Sequence, residues 1–68
     1  SNGQPRPEPM TELTERIGKT ARRELENHGM TTYDQIAAAS DRELLAIHGV
    51  GPKAVRILRE EIAGGSPA

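Results

Sequence analysis

Gly49-Val50-Gly51 is followed at once by Pro52-Lys53, with Arg56 three residues further on. The apolar residues Leu44, Leu45 and Ile47 precede this run and Val55 lies inside it. Glycine accepts positive φ and lets another group approach closely, so two glycines around one apolar residue make a tight turn. Proline suits the first position of a helix, where its missing N–H would be unpaired anyway and its φ is already helical. A helix opening there presents unpaired amide N–H groups beside Lys53. Those groups can seat an anion, and one phosphate oxygen in particular, through the backbone of Gly49, Val50 and Gly51. A cation at a helix N-terminus is unfavourable by itself, and an incoming phosphate offsets that cost. Arg56, one turn later, reaches a neighbouring phosphate unless Glu60, four residues on, holds it.

The charge pattern extends this reading. Nine basic residues stand against ten acids, for a net charge of −1. That balance argues against a uniformly basic nucleic-acid binder, but the bases are clustered. Arg16, Lys19, Arg22 and Arg23 fall in a window without an acid, and Lys53, Arg56 and Arg59 fall in a second. A polarised molecule of near-zero net charge still offers a local basic face. Within the first window, Ile17-Gly18-Lys19-Thr20-Ala21-Arg22 echoes Val50-Gly51-Pro52-Lys53-Ala54-Val55-Arg56, without the proline. The echo places Lys19, Arg22 and Arg23 near the positions that Lys53 and Arg56 occupy in the other half. The bland alternatives are an uninterrupted helix through Gly18 and a solvated surface of mixed charge.

Other chemistries find little to work with. There is no cysteine, so neither a disulfide nor a cysteine-based zinc site can form. The two histidines, His28 and His48, are too few for a metal cluster, and no cofactor or metal is expected. Tyr33 is the only aromatic residue, which removes base stacking on aromatic platforms. The carboxylate pairs Glu60-Glu61 and Asp41-x-Glu43 fall on expected solvated faces without an apolar pocket to raise a pKa. An enzyme acting on a small-molecule substrate is therefore not expected. Apolar runs are only a few residues long, so no membrane span is expected. No secretory signal is visible, which favours a cytoplasmic protein, nucleoid-associated if bacterial.

The elements that must position these residues read as helices throughout. Leu13, Ile17, Ala21 and Leu25 recur every four residues, on one helix or on two broken near Gly18. Gly29 stands as the residue after a helix end, with Met30 able to pack back on the last turn. Thr32-Tyr33-Asp34-Gln35 and Ser40-Asp41-Arg42-Glu43 are capping-box patterns, each opening a short helix. Val55, Leu58 and Ile62 form the buried stripe of a last helix, which Gly64 ends, while Ile57 lies off that stripe, partly exposed, and with Ala54 offers a protein contact. No segment alternates with period two over the length of a strand. The Pro-rich residues 1–10 read as a disordered tail or linker, 11–63 as the domain and 64–68 as a flexible C-terminus.

The run Gly49-Val50-Gly51-Pro52-Lys53 between apolar flanks resembles the helix-hairpin-helix motif, and the echo at Gly18 resembles the degenerate partner of a tandem pair. From His28 to Ile62 the chain is also similar to the C-terminal domain of the bacterial RNA polymerase alpha subunit, through Gly29-Met30-Thr31-Thr32, Ser40-x-x-Glu43-Leu44-Leu45-Ala46-Ile47 and Gly51-x-Lys53. Both resemblances imply an all-α, compact four- to five-helix domain of SAM-like type. They imply binding to duplex DNA through the phosphate backbone, with little sequence preference, by Gly51 and Lys53 in the second hairpin. Ala54 stands where that family has a serine, losing a hydroxyl donor, and its minor-groove arginine has no clear counterpart near Lys19 or Thr20. The competing expectation is a protein-interaction module of a larger transcription or repair protein, docking through Ile57, Ala54 or the acidic end of the last helix.

Overall fold

The computed structural model describes residues 10–64, and the expected Pro-rich tail and most of the expected flexible C-terminus lie outside them. Four α-helices follow a short 3₁₀ turn at Glu15–Ile17: α1 Lys19–Asn27, α2 Tyr33–Ala38, α3 Asp41–Leu45 and α4 Pro52–Gly64. No strand occurs among the described residues, as the absence of period-two alternation requires. The Leu13–Leu25 repeat is broken at Gly18, whose φ of +92° ends the 3₁₀ turn and caps α1. A left-handed backbone of that kind costs any residue with a Cβ, so the uninterrupted helix through Gly18 is not formed.

Local chemistry sets the remaining boundaries. Gly29 (φ +80°) follows α1, with Gly29 N–H on Glu26 C=O at 2.9 Å and Met30 N–H on Leu25 C=O at 2.8 Å. This pair of bonds is a Schellman closure, and Met30 packs against the core just beyond it. Both capping boxes form. The Thr32 hydroxyl accepts from Gln35 N–H while the Gln35 side chain accepts from Thr32 N–H, and Ser40 with Glu43 does the same. The two helices they start have six and five residues, far below the length at which an isolated helix persists in water. Caps of this kind contribute about 1 kcal/mol each, and tertiary burial must supply the rest.

That burial centres on α4. It packs against the 3₁₀ turn, α2 and α3. Val55 and Leu58 enter one aliphatic cluster with Leu13, Leu25, Ile36 and Leu44, the last four and Leu58 being almost wholly inaccessible. Ile57 and Ala54 are buried as well, correcting the expectation that they lie on the surface. Leu45, by contrast, is 44% exposed although the sequence sets it beside Leu44 in an apolar run. Two arginines are taken up by the fold. Arg59 of α4 donates from NH1 to Ile36 C=O (3.0 Å), from NH2 to Ala39 C=O (2.8 Å) and from Nε to Asp41 Oδ1 (2.9 Å), tying the end of α2 and the start of α3 to α4. Arg22, only 8% exposed, donates Nε–H to Leu13 C=O at 3.1 Å.

The segment before the 3₁₀ turn is strapped across α1 and α2. Met10 N–H donates to Glu26 Oε2, Glu12 N–H donates to Thr31 C=O, and Glu12 Oε2 accepts from Tyr33 N–H at the start of α2. The Tyr33 hydroxyl accepts from Thr14 N–H at 2.8 Å. Burial raises the Tyr33 pKa above its ordinary 10.0, opposed by the Thr14 hydrogen bond and reinforced by Glu61 and Glu12. A folded-state pKa above the unfolded one gives stability that is intact below pH 10 and is lost as pH rises through the folded value. Because Tyr33 is the only tyrosine and there is no tryptophan, the ultraviolet absorbance of tyrosinate reports it alone. The titration midpoint is expected above 10 in the native protein, with unfolding free energy falling over the same range. A midpoint at or below that of a free tyrosine contradicts the burial of the Tyr33 hydroxyl.

Candidate nucleic-acid interface

The turn between α3 and α4 is built on one close approach. Gly49 has φ +92°, and a Cβ placed on it would lie 3.0 Å from Thr20 Cγ2 and 3.2 Å from Glu24 Cγ, both on α1. Glycine is favoured here by conformation, and a Cβ would be tight against the two α1 side chains. The contact sets the second turn directly against the first turn of α1, so the two glycine turns lie side by side. Ile47 and Val50 anchor the second turn in the core, and Val50 N–H is already bonded to Ile47 C=O at 3.0 Å. The amide of Val50, expected among the phosphate contacts, is thus engaged within the turn. Gly49 and Gly51 remain at the surface or partly so, and the amides of Gly51 and Lys53 have no partner among the described residues.

The register of the two turns follows from their first helical hydrogen bonds. Arg22 N–H bonds to Gly18 C=O and Val55 N–H to Gly51 C=O, each at 3.1 Å. Gly18 thus plays the part of Gly51. Counting forward, Ala21 matches Ala54 and Leu25 matches Leu58, and all four are buried. Arg22 matches the buried Val55, which explains why its guanidinium is turned inward to Leu13, and it is withdrawn from the expected basic face. Lys53 is matched by Thr20 rather than by Lys19, and Arg56 by Arg23. The left-handed residue also differs, being Gly18 itself in the first turn and Gly49, two residues before Gly51, in the second.

Of the cations in the two sequence windows, a smaller set is left at the surface without a carboxylate partner, and Arg42 on α3 is exposed as well. Lys19, Lys53 and Arg56 are exposed and Arg23 is half-buried, and none of the four forms an ion pair among the described residues. Arg59 is held by Asp41, and Glu60 pairs with Arg16 rather than with Arg56. A groove of about 270 Å³ runs between the two turns, lined by Arg16, Ile17, Gly49, Gly51, Lys53, Ala54 and Ile57. A second, of about 290 Å³, lies at the start of α1 between Glu15, Gly18, Lys19 and Arg22. Among the described residues no group of acids and histidines has the arrangement of a metal site, and no helix is long and apolar enough to cross a membrane. His48, exposed beside Gly49, forms no side-chain hydrogen bond or ion pair among the described residues.

Sequence reasoning passed over Arg16 as a member of the groove. It stands in the first acid-free window, but its carboxylate partners are more than forty residues away and no local spacing marks them. Ile57 and Ala54, expected as part of a docking surface, are 7% and 8% exposed and line the groove between the turns. No family model, curated protein or solved structure matches this chain.

Gly49 and Gly51 are separable by substitution. Gly49→Ala meets both the left-handed backbone and the Thr20 contact, and a loss of at least about 1 kcal/mol is expected from the backbone alone. Gly51→Ala has open space at Cβ and no positive φ, so it should cost distinctly less. Urea unfolding of the two variants checks this, and equal losses contradict the close packing of the second turn on α1.

Proposed function

We propose that this domain binds duplex DNA through the phosphate backbone with little sequence preference. The observation that carries the reading is the packing of Gly49 against Thr20, which sets two glycine turns, each leading into a helix N-terminus, next to one another. Around them stand Lys53, Arg56, Lys19 and Arg23 without carboxylate partners among the described residues. Amide groups at a helix start and a nearby lysine together suit a phosphate oxygen, and they recognise charge rather than base identity. In this reading the Gly51 and Lys53 amides and the Lys53 ammonium hold one phosphate, Arg56 a neighbouring one, and Lys19 and Arg23 a third at the first turn. Binding is the whole activity proposed, with no chemical step.

Few phosphates are engaged, so affinity is modest, with Kd about 10⁻⁴ to 10⁻⁶ M and a steep decline with salt. An amide-resolved NMR titration with a short mixed-sequence duplex tests the reading at low salt and again near physiological salt. Shifts centred on residues 49–56 and 18–23, shrinking as salt rises, are expected. Lys53→Ala should weaken binding equally on different sequences and flatten the logarithmic salt dependence by about one unit. A spectrum unmoved by the duplex at low salt overturns the proposal and directs the search to a protein partner.

A further inference from the structure

We infer that Arg16 is an additional phosphate-binding residue of this interface, held back in the free protein by Glu60 and Glu61. The inference rests on the DNA-backbone reading above and deepens it. Arg16 belongs to the 3₁₀ turn and forms one wall of the groove whose other wall carries Gly49, Gly51 and Lys53. Its guanidinium is engaged by two carboxylates, with Nη1 2.9 Å from Glu61 Oε2 and Nη2 3.5 Å from Glu60 Oε1, both on the last turns of α4. The backbone of Arg16 is held independently of that pairing, since its N–H donates to Thr14 Oγ1 at 3.1 Å. The side chain can therefore leave the carboxylates without moving the turn.

Electrostatics favour such a transfer. The Arg16 side chain is 56% exposed, and its partners Glu60 and Glu61 are 57% and 32% exposed. Ion pairs this open to solvent are weak and are screened by salt. A duplex carries a dense line of phosphates, and guanidinium binds a phosphate with two parallel N–H groups. With Arg16 held by the acids, the groove presents Lys53 as its one uncommitted cation among its lining residues. With Arg16 swung across, the groove holds two. Glu60 and Glu61 then act as an internal competitor that lowers affinity and removes one cation from the salt dependence.

Fluorescence anisotropy with a labelled mixed-sequence duplex, measured over a range of salt, tests this with a substitution cycle. Arg16→Gln should flatten the logarithmic salt slope by about 0.9, shrinking the ratio of affinities between 50 and 200 mM salt about 3.5-fold. Arg16→Lys should keep the slope, because the charge remains. The double substitution Glu60→Gln and Glu61→Gln should tighten binding when Arg16 is present, and should do so much less in the Arg16→Gln background. Equal tightening in both backgrounds means that the acids act only as distant charges, and it overturns the inference. So does an unchanged slope in Arg16→Gln while Lys53→Ala still weakens binding, a result that leaves the DNA reading standing. If the unsubstituted protein ignores the duplex at low salt, both fall together. Should Arg16→Gln fail to fold, the Arg16 side-chain Nε–H resonance of the unsubstituted protein decides the matter. It should shift on addition of the duplex at low salt, and a resonance left unmoved while the amides of residues 49–56 shift overturns the inference.

Discussion

The core has no aromatic ring beyond the half-buried Tyr33 and no disulfide, and α2 and α3 have only six and five residues. Under these conditions the domain depends on the burial of α4. Fully burying an aliphatic side chain contributes about 1.5–3 kcal/mol, against the entropy of ordering a short chain. Only α4, thirteen residues long, offers enough apolar surface for the 3₁₀ turn, α2 and α3 to gather on it. It does so on a broad front, since Ala54, Val55, Ile57 and Leu58 are all buried. Ile57 is inside because the 3₁₀ turn and the Gly49 turn cover a face of α4 that a narrow stripe would have left to solvent. The start of α4 is thereby fixed, and with it the glycine turn that feeds it.

Arginine is used here more for holding than for display. Arg59 closes the carbonyls of Ile36 and Ala39 and pairs with Asp41, satisfying a helix end and a helix start with one side chain. Arg22 bonds to Leu13 C=O beneath the strap, where an unpaired carbonyl would carry a desolvation penalty. Arg16 joins the 3₁₀ turn to the end of α4. The planar guanidinium suits all three tasks, because it spans several acceptors in one plane. Net charge therefore says little about the surface of this molecule. What matters is which cations the fold leaves without internal partners.

Among the described residues, Lys19, Arg23, Lys53 and Arg56 are of this kind and follow the two short turns, while Arg42 stands apart on α3. The first turn is a reduced version of the second, with a 3₁₀ turn in place of a helix and threonine in place of lysine at the matching position. Their proximity comes from the absence of a side chain at Gly49, which lets the second turn sit directly on Thr20 and Glu24. A Cβ at that point would strain the backbone at positive φ and force the Thr20 and Glu24 side chains to give way by a few tenths of an ångström.

The sequence by itself determined the helix boundaries and the all-α class, because these follow from contacts between near neighbours. Both capping boxes and the Gly29 closure are local events, legible from residue type and spacing, whereas at Gly18 the sequence left one helix or two open and the structure shows the break. The sequence also marked the Gly49–Lys53 turn as the start of a helix, since proline and paired glycines act on their own backbone. Tertiary structure alone decided which residues face solvent. Arg22 and Lys19 look alike in the sequence, yet the register set at Gly18 buries one and exposes the other. Ile57 and Leu45 exchange their expected places because burial depends on which remote segment covers a helix face. The Arg16 pairing with Glu60 and Glu61 joins residues far apart in the chain, and only packing of the 3₁₀ turn on α4 brings them together. Short-range hydrogen bonding carries its signal in the sequence, whereas the meeting of distant side chains is settled by how the whole core closes.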